Sequence, residues 1–215
     1  MSSTANIKNT YNKVAVKYAE KFMSELDGKP LDHLLLRSFY EDNKEKGPFI
    51  DLGCGPGQTT KFLADCGCAN ITGTDLSPGM MKIAKKLNPT INFEVADMLD
   101  LKYKSNTFGA ATGFYCIVHF DYPAIKIAFE QINRILKPGG QLLISFHTGN
   151  EVIHFDEFLE EKADIDFYFL DADKVITLLK ETGFNIVDAL VRYPYPTEHP
   201  TKRAYIRTEK PKIST

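Results

Sequence analysis

The sequence predicts an α/β fold: a doubly wound, mostly parallel seven-stranded sheet whose last strand runs antiparallel. Three observations carry that expectation. Short apolar runs alternate with amphipathic helical patterns through most of the chain, as in a parallel sheet covered on both faces. One run, "FIDLGCGPGQTT" (49–60), breaks into glycines at 53, 55 and 57, as a strand does when it turns tightly into a helix. The last two strand-like segments have no helix between them, and such neighbours pair antiparallel.

Taken in order, Ile7, Tyr11, Val14, Tyr18 and Phe22 place one apolar stripe on a helix over 6–26. "DGKP" breaks it, and a second helix is expected over 31–43. "PFIDLGC" is the first strand, with a helix over 58–66 behind it. "NITGTDL" is the second strand, ending in Asp75. "SPGMMKIAKKL" is a helix with Ser77 as N-cap and Pro78 in its first turn. "INFEVAD" is the third strand, ending in Asp97, and "FGAATGFYC" the fourth. Ile125, Ala128, Phe129, Ile132, Ile135 and Leu136 give a helix over 123–136, stopped by "KPGG". "QLLISFH" is the fifth strand. A helix over 171–182 ends at Gly183. "FNIVDALV" and "RAYIRTE" close the sheet, separated by the proline-rich "RYPYPTEHPTK". The expected organisation is an N-terminal helical cap, 1–45, and a sheet domain, 46–215.

The chain of 215 residues, 43% hydrophobic, suits one domain with a sizeable core. A formal net charge of −2 gives no footprint of nucleic-acid binding. No apolar stretch approaches the roughly 20 residues that span a membrane, and the N-terminus lacks a signal-peptide core. A cytoplasmic protein is expected, as a monomer or homodimer with no membrane partner. The four cysteines (54, 66, 68 and 116) are read as reduced thiols.

In an open parallel sheet, ligands bind beyond the carboxyl ends of the strands. Three such ends carry acids: Asp51 before the glycine turn, Asp75 on the second strand and Asp97 on the third. Asp75 lies 18 positions beyond Gly57, where a carboxylate can accept from both hydroxyls of a ribose. Asp97 can accept from an adenine amino group, with Met80 and Met98 as apolar surface for the ring. The turn itself disfavours a pyrophosphate, because Asp51 adds negative charge and Pro56 removes an N–H. A carboxylate there suits an ammonium. Adenine, free ribose hydroxyls and an amino-acid tail together describe S-adenosylmethionine.

"FIDLGCGPGQTT", "GTDLSPGMM", "VADMLDLKY" and "INRILKPGGQLLISF" resemble the successive motifs of the class I S-adenosylmethionine-dependent methyltransferases, in their small-molecule type. The resemblance covers roughly residues 45–150 and implies a Rossmann-like fold. It implies that Asp51, Gly53, Gly55 and Gly57 hold the methionine part of the cofactor, with only the backbone of Cys54 approaching. It further implies that Asp75 takes the ribose, Leu76 lies against adenine, and Asp97 and Met98 meet the adenine edge and face. Phe114 and Tyr115 fall near the sulfonium and the acceptor, and the cap places Tyr11 and Tyr18 over the cofactor.

Methyl transfer from a sulfonium is an in-line displacement that needs positioning and exclusion of water more than acid–base help. A base is needed only for an acceptor protonated at working pH. His119, after the fourth strand, is the first candidate and His147, ending the fifth, the second. Metal-dependent relatives carry an acid at the fourth-strand end; Phe114, Tyr115 and Cys116 stand there, so no catalytic metal is expected. Segment 147–170 is read as an acceptor-side insertion, with Phe155, Phe158, Phe167, Tyr168 and Phe169 available as a hydrophobic wall. The expected acceptor is a small molecule. Methylation of RNA or protein, a NAD-dependent dehydrogenase and a non-catalytic binding module stay open at this point.

Overall fold

The computed structural model describes residues 3–212. Its core is a seven-stranded sheet in the order β3-β2-β1-β4-β5-β9-β8. The strands are β1 (Phe49–Leu52), β2 (Ile71–Asp75), β3 (Asn92–Val95), β4 (Phe108–Phe114), β5 (Leu136–His147), β8 (Asn185–Arg192) and β9 (Arg203–Glu209). Every pairing up to β5 is parallel, and β9 runs antiparallel between β5 and β8. The doubly wound sheet with an antiparallel last strand is thus as expected. The order reverses between β1 and β4, the switch point at which such sheets bind ligands.

Six helices surround it: α1 (Thr4–Phe22), α2 (Pro30–Asn43), α3 (Gln58–Asp65), α4 (Pro78–Leu87), α5 (Tyr122–Ile135) and α6 (Ala172–Glu181). Side chains alternate across the strands, so each face buries its own set. Ile50, Leu52, Ala111, Leu142 and Ile144 share a cluster with Phe129 and Ile132 of α5 and Val175 of α6. Phe49, Ala110 and Leu143 face Leu36 and Phe39 of α2 and Leu63 of α3. Fully burying one such large side chain contributes roughly 1.5–3 kcal/mol. The helix starts follow the capping rules: Ser77, Asp121 and Asp171 each accept an N–H three residues on, opening α4, α5 and α6.

Two local expectations are corrected. "KPGG" does stop α5, but β5 begins at once, at Leu136, five positions before the expected Gln141, because Leu136 already pairs with Phe108 of β4 before a register shift carries the pairing to Ala110 and Gln141. Segment 147–170 contains a β-hairpin, β6 (Val152–Phe158) and β7 (Glu161–Tyr168). His154 lies on β6. The hairpin closes through Leu159 and Glu160, both at positive φ (51° and 61°). That conformation suits the twist of a two-residue hairpin loop.

The hairpin and α1 meet over the carboxyl ends of the strands. Asn6 donates to Asp164 at 2.5 Å, Lys13 to the Lys162 carbonyl, and Lys17 to Glu161. At its other flank α1 is fastened to α4: Oδ1 of Asn12 accepts from the Ser77 hydroxyl (2.7 Å) and the Gly79 N–H (2.8 Å). No described helix is long and apolar enough to cross a membrane.

Candidate active site

A cavity of about 830 Å³ opens between the strand ends and the roof formed by α1 and the hairpin. That volume lies within the range of small-molecule sites. Its floor is built by the turns after β1 and β2. Gly53 and Gly55 both sit at positive φ, 63° and 54°. A Cβ on Gly53 would come within 2.5 Å of Cys116 Cβ, so only glycine lets the fourth-strand end close over this turn.

The N–H groups of this turn are largely spent within the protein. The Cys54 N–H donates to the Thr74 carbonyl (2.9 Å), Gly55 N–H to Asp75 Oδ2 (3.1 Å) and Gly57 N–H to the Cys54 carbonyl (2.9 Å). Pro56 has none. The turn is therefore no phosphate nest, and two carboxylates flank it.

Asp75 closes β2 and lines the cavity, its Oδ1 taking the Ser77 N–H at 2.8 Å. Burial pushes its carboxyl up to about 6, against the two N–H bonds that hold it down. Asp51 is 1% exposed; Thr112 and Thr60 donate their hydroxyls to its two oxygens at 2.8 and 2.6 Å. Burial likewise pushes Asp51 up to about 6. These are carboxylates held in position by neutral groups, with no cation paired to either among the described residues, and an incoming ammonium or pair of hydroxyls would relieve them.

Leu76, Asp97 and Met98 line the same cavity, with Met80 of α4 opposite. Asp97 Oδ1 accepts the Leu99 N–H at 2.8 Å, which fixes the carboxylate's orientation. Phe114 and Tyr115 line it at the end of β4, and Tyr18 lies over Gly55. Tyr115 is bulky yet sits at φ 57°, a strained conformation. Gly57 is not among the residues that line the cavity. Its positive φ (93°) starts α3, and a Cβ there would strike the Phe93 ring at 2.9 Å.

Tyr11 and His119, expected as separate groups, are joined. The Tyr11 hydroxyl lies 2.7 Å from Nε2, and Nδ1 lies 2.8 Å from the Asp166 carbonyl of β7. A carbonyl can only accept, so Nδ1 carries the proton and Nε2 receives the tyrosine O–H. Burial pushes the His119 imidazolium down to about 4. Phe158 and Phe167 pack edge-on around the pair. His147 faces another part of the cavity, with Nδ1 2.7 Å from the Thr201 hydroxyl. Burial, then the charge of Arg203, pushes it down to about 3.

Sequence reasoning missed Thr60, Thr112 and Asn12, which orient the site, and a set of buried charges, Lys29, Glu198 and Arg203, on its wall. Among the described residues no group of three His, Cys, Asp or Glu side chains is arranged to hold a metal.

A family model described as a methyltransferase domain matches residues 49–140. An O-methyltransferase from Penicillium expansum is 28% identical over 146 residues, 65% of this chain and 52% of that protein. Phosphoethanolamine N-methyltransferase 1 from Arabidopsis thaliana is 31% identical over 145 residues, 65% of this chain and 29% of that protein. The chain spans about half, or less, of the length of these curated relatives. A crystal structure of a S-adenosylmethionine-dependent methyltransferase from Clostridium acetobutylicum shares the fold, with a TM-score of 0.70 at 19% identity over 94% of this chain and 99% of that one.

Proposed function

We propose that the chain is a class I S-adenosylmethionine-dependent methyltransferase and that it moves a methyl group from S-adenosylmethionine to a small organic acceptor, without a metal ion; the match of residues 49–140 to a methyltransferase domain supports this. The observation that carries this reading is the floor of the cavity. Its turn has largely spent its N–H groups and lies between two carboxylates, Asp51 and Asp75, that no cation pairs with among the described residues. Such a floor repels a pyrophosphate and receives ribose hydroxyls at Asp75 and an ammonium near Asp51.

The residues present fit that cofactor. Asp75 would hold the ribose, Asp97 the adenine edge, Leu76, Met80 and Met98 its faces, and the backbone from Gly53 to Gly55 the methionine part. When bound, the cofactor supplies an electrophilic methyl group on a sulfonium. The protein's part is to orient the acceptor, exclude water beneath α1 and the hairpin, and handle a proton.

Tyr11 and His119 are the groups for that proton. The Tyr11 oxygen can accept from an acceptor hydroxyl or amine as its own proton passes to Nε2 of His119. An imidazolium near 4 makes His119 a weak base, so the transfer comes late, once the acceptor atom has become positive. His147 is the second candidate, at the other wall. The roof of α1 and the hairpin favours a small acceptor over a polymer.

The reading is tested by incubating the protein with S-adenosylmethionine and a panel of small hydroxylated, amino and carboxylic compounds, with mass spectrometry of the products. One compound gaining a methyl group, with S-adenosylhomocysteine released in step, supports it. Methylation only of added RNA or protein would overturn the acceptor class.

A further inference from the structure

The cavity has a second, charged end. Lys29 and Arg203 both line it and are 3% and 2% exposed. Lys29 precedes α2, and its Nζ lies 4.6 Å from the centre of the strained Tyr115 ring. Arg203 opens β9, with Nη1 spent on the carbonyls of His199 and Thr201. Lys29 Nζ and Arg203 Nε converge on one atom, Oε1 of Glu198, at 3.7 and 3.6 Å. Both distances exceed a hydrogen bond, and Arg203 Nε is a buried donor without a partner.

The carboxylates around them are committed unequally. Glu198 is gripped by Arg192 through two bonds of 2.6 and 2.8 Å and takes the Tyr195 N–H. Asp32 takes the Tyr205 hydroxyl at 2.5 Å and lies 3.6 Å from Arg192. Lys29, Arg192 and Arg203 therefore face two well-buried carboxylates. Glu25 supplies the remaining negative charge, 2.5 Å from Lys29 Nζ, with a side chain 36% exposed on a short 3-10 turn. Of the three it is the one free to swing into solvent.

We propose that this end binds an anionic oxygen group, a carboxylate or phosphate, carried by the methyl acceptor; it displaces Glu25 from Lys29 and gives Arg203 Nε an acceptor. The inference rests on the cavity's holding cofactor and acceptor together, as proposed above. The acceptor's apolar body then extends toward Phe155, Phe158 and Phe167, which line the same cavity. The competing occupant is an ammonium, which Glu25 and the unpartnered Oδ2 of Asp32 would hold.

The test is calorimetric titration of protein saturated with S-adenosylhomocysteine, using phenylacetate, phenyl phosphate, phenylacetamide and phenethylamine. At least one anion should bind about tenfold or more tighter than the amide, and the tighter of the two identifies the oxygen group. Glu25→Gln should tighten that anion severalfold, and Lys29→Met should weaken it about tenfold, with S-adenosylhomocysteine binding as the check on folding. Binding of the amide or amine equal to the anions, no binding of either anion, or weakening by Glu25→Gln would overturn the proposal. Failure of S-adenosylhomocysteine itself to bind would sink the functional reading beneath it, and the proposal with it.

Discussion

The hydroxyl of Tyr11 and Nε2 of His119, 108 residues apart in the chain, lie 2.7 Å apart at the cavity wall. The Asp166 carbonyl fixes the histidine tautomer from behind. One contact thus ties together α1, the segment after β4 and the hairpin. Tyr11→Phe keeps the ring and removes the proton path. Turnover on the acceptor should fall about 100-fold, the lower range for acid–base help, with S-adenosylhomocysteine affinity little changed. Equal losses in turnover and cofactor affinity would show that Tyr11 only shapes the cavity.

Asp75 accepts an N–H on each oxygen, from Ser77 and from Gly55. Asp75→Asn keeps only one of those acceptors and turns an NH2 toward the other N–H, so it should lower the melting temperature of the ligand-free protein by a few degrees and weaken S-adenosylhomocysteine about tenfold or more. Differential scanning fluorimetry with and without ligand reads both effects. Unchanged ligand affinity would refute the ribose assignment.

His119 gives stability a pH term of known sign. Burial holds its folded-state value at about 4, below the ordinary histidine value of 6.5. Between those values the unfolded chain holds a proton that the folded protein refuses, so this contribution falls as pH drops from 6.5 towards 4, by at most about 3 kcal/mol. Asp51, raised to about 6 from 3.8, acts in the opposite sense as pH falls through 6. The terms are separated by comparison with His119→Asn. Urea midpoints should show the wild type losing its advantage over the variant between about pH 7 and about pH 5. A constant difference would contradict the burial of a neutral imidazole.

Asn12 fastens the roof. Asn12→Ala leaves the Ser77 hydroxyl and the Gly79 N–H without that acceptor, a cost of about 1–2 kcal/mol. Brief proteolysis should cut within α1 faster than in the wild type, and S-adenosylhomocysteine should restore protection. Identical cleavage rates would show that other contacts hold the helix.

The floor of the site was legible because it is local. A strand, a glycine turn and an acid at the next strand end are set by near neighbours, and Asp51, Asp75 and Asp97 reach the cavity as expected. Gly57 lies at the start of α3, because a glycine at positive φ can start a helix as well as approach a ligand. The hairpin was hidden because Leu159 and Glu160 turn it where Asn or Gly would have signalled the turn. The Tyr11–His119 pair and the meeting of Lys29 with Arg203 depend on tertiary packing across most of the chain, and no spacing rule announces them.

Asp75 and the turn beneath it are expected to hold S-adenosylmethionine. Isothermal titration of the folded protein with S-adenosylhomocysteine, and in parallel with NADH, tests this most directly. One equivalent of S-adenosylhomocysteine should bind in the micromolar range usual for enzyme substrates, with no heat from NADH. Silence with S-adenosylhomocysteine, or saturable binding of NADH in its place, would contradict it.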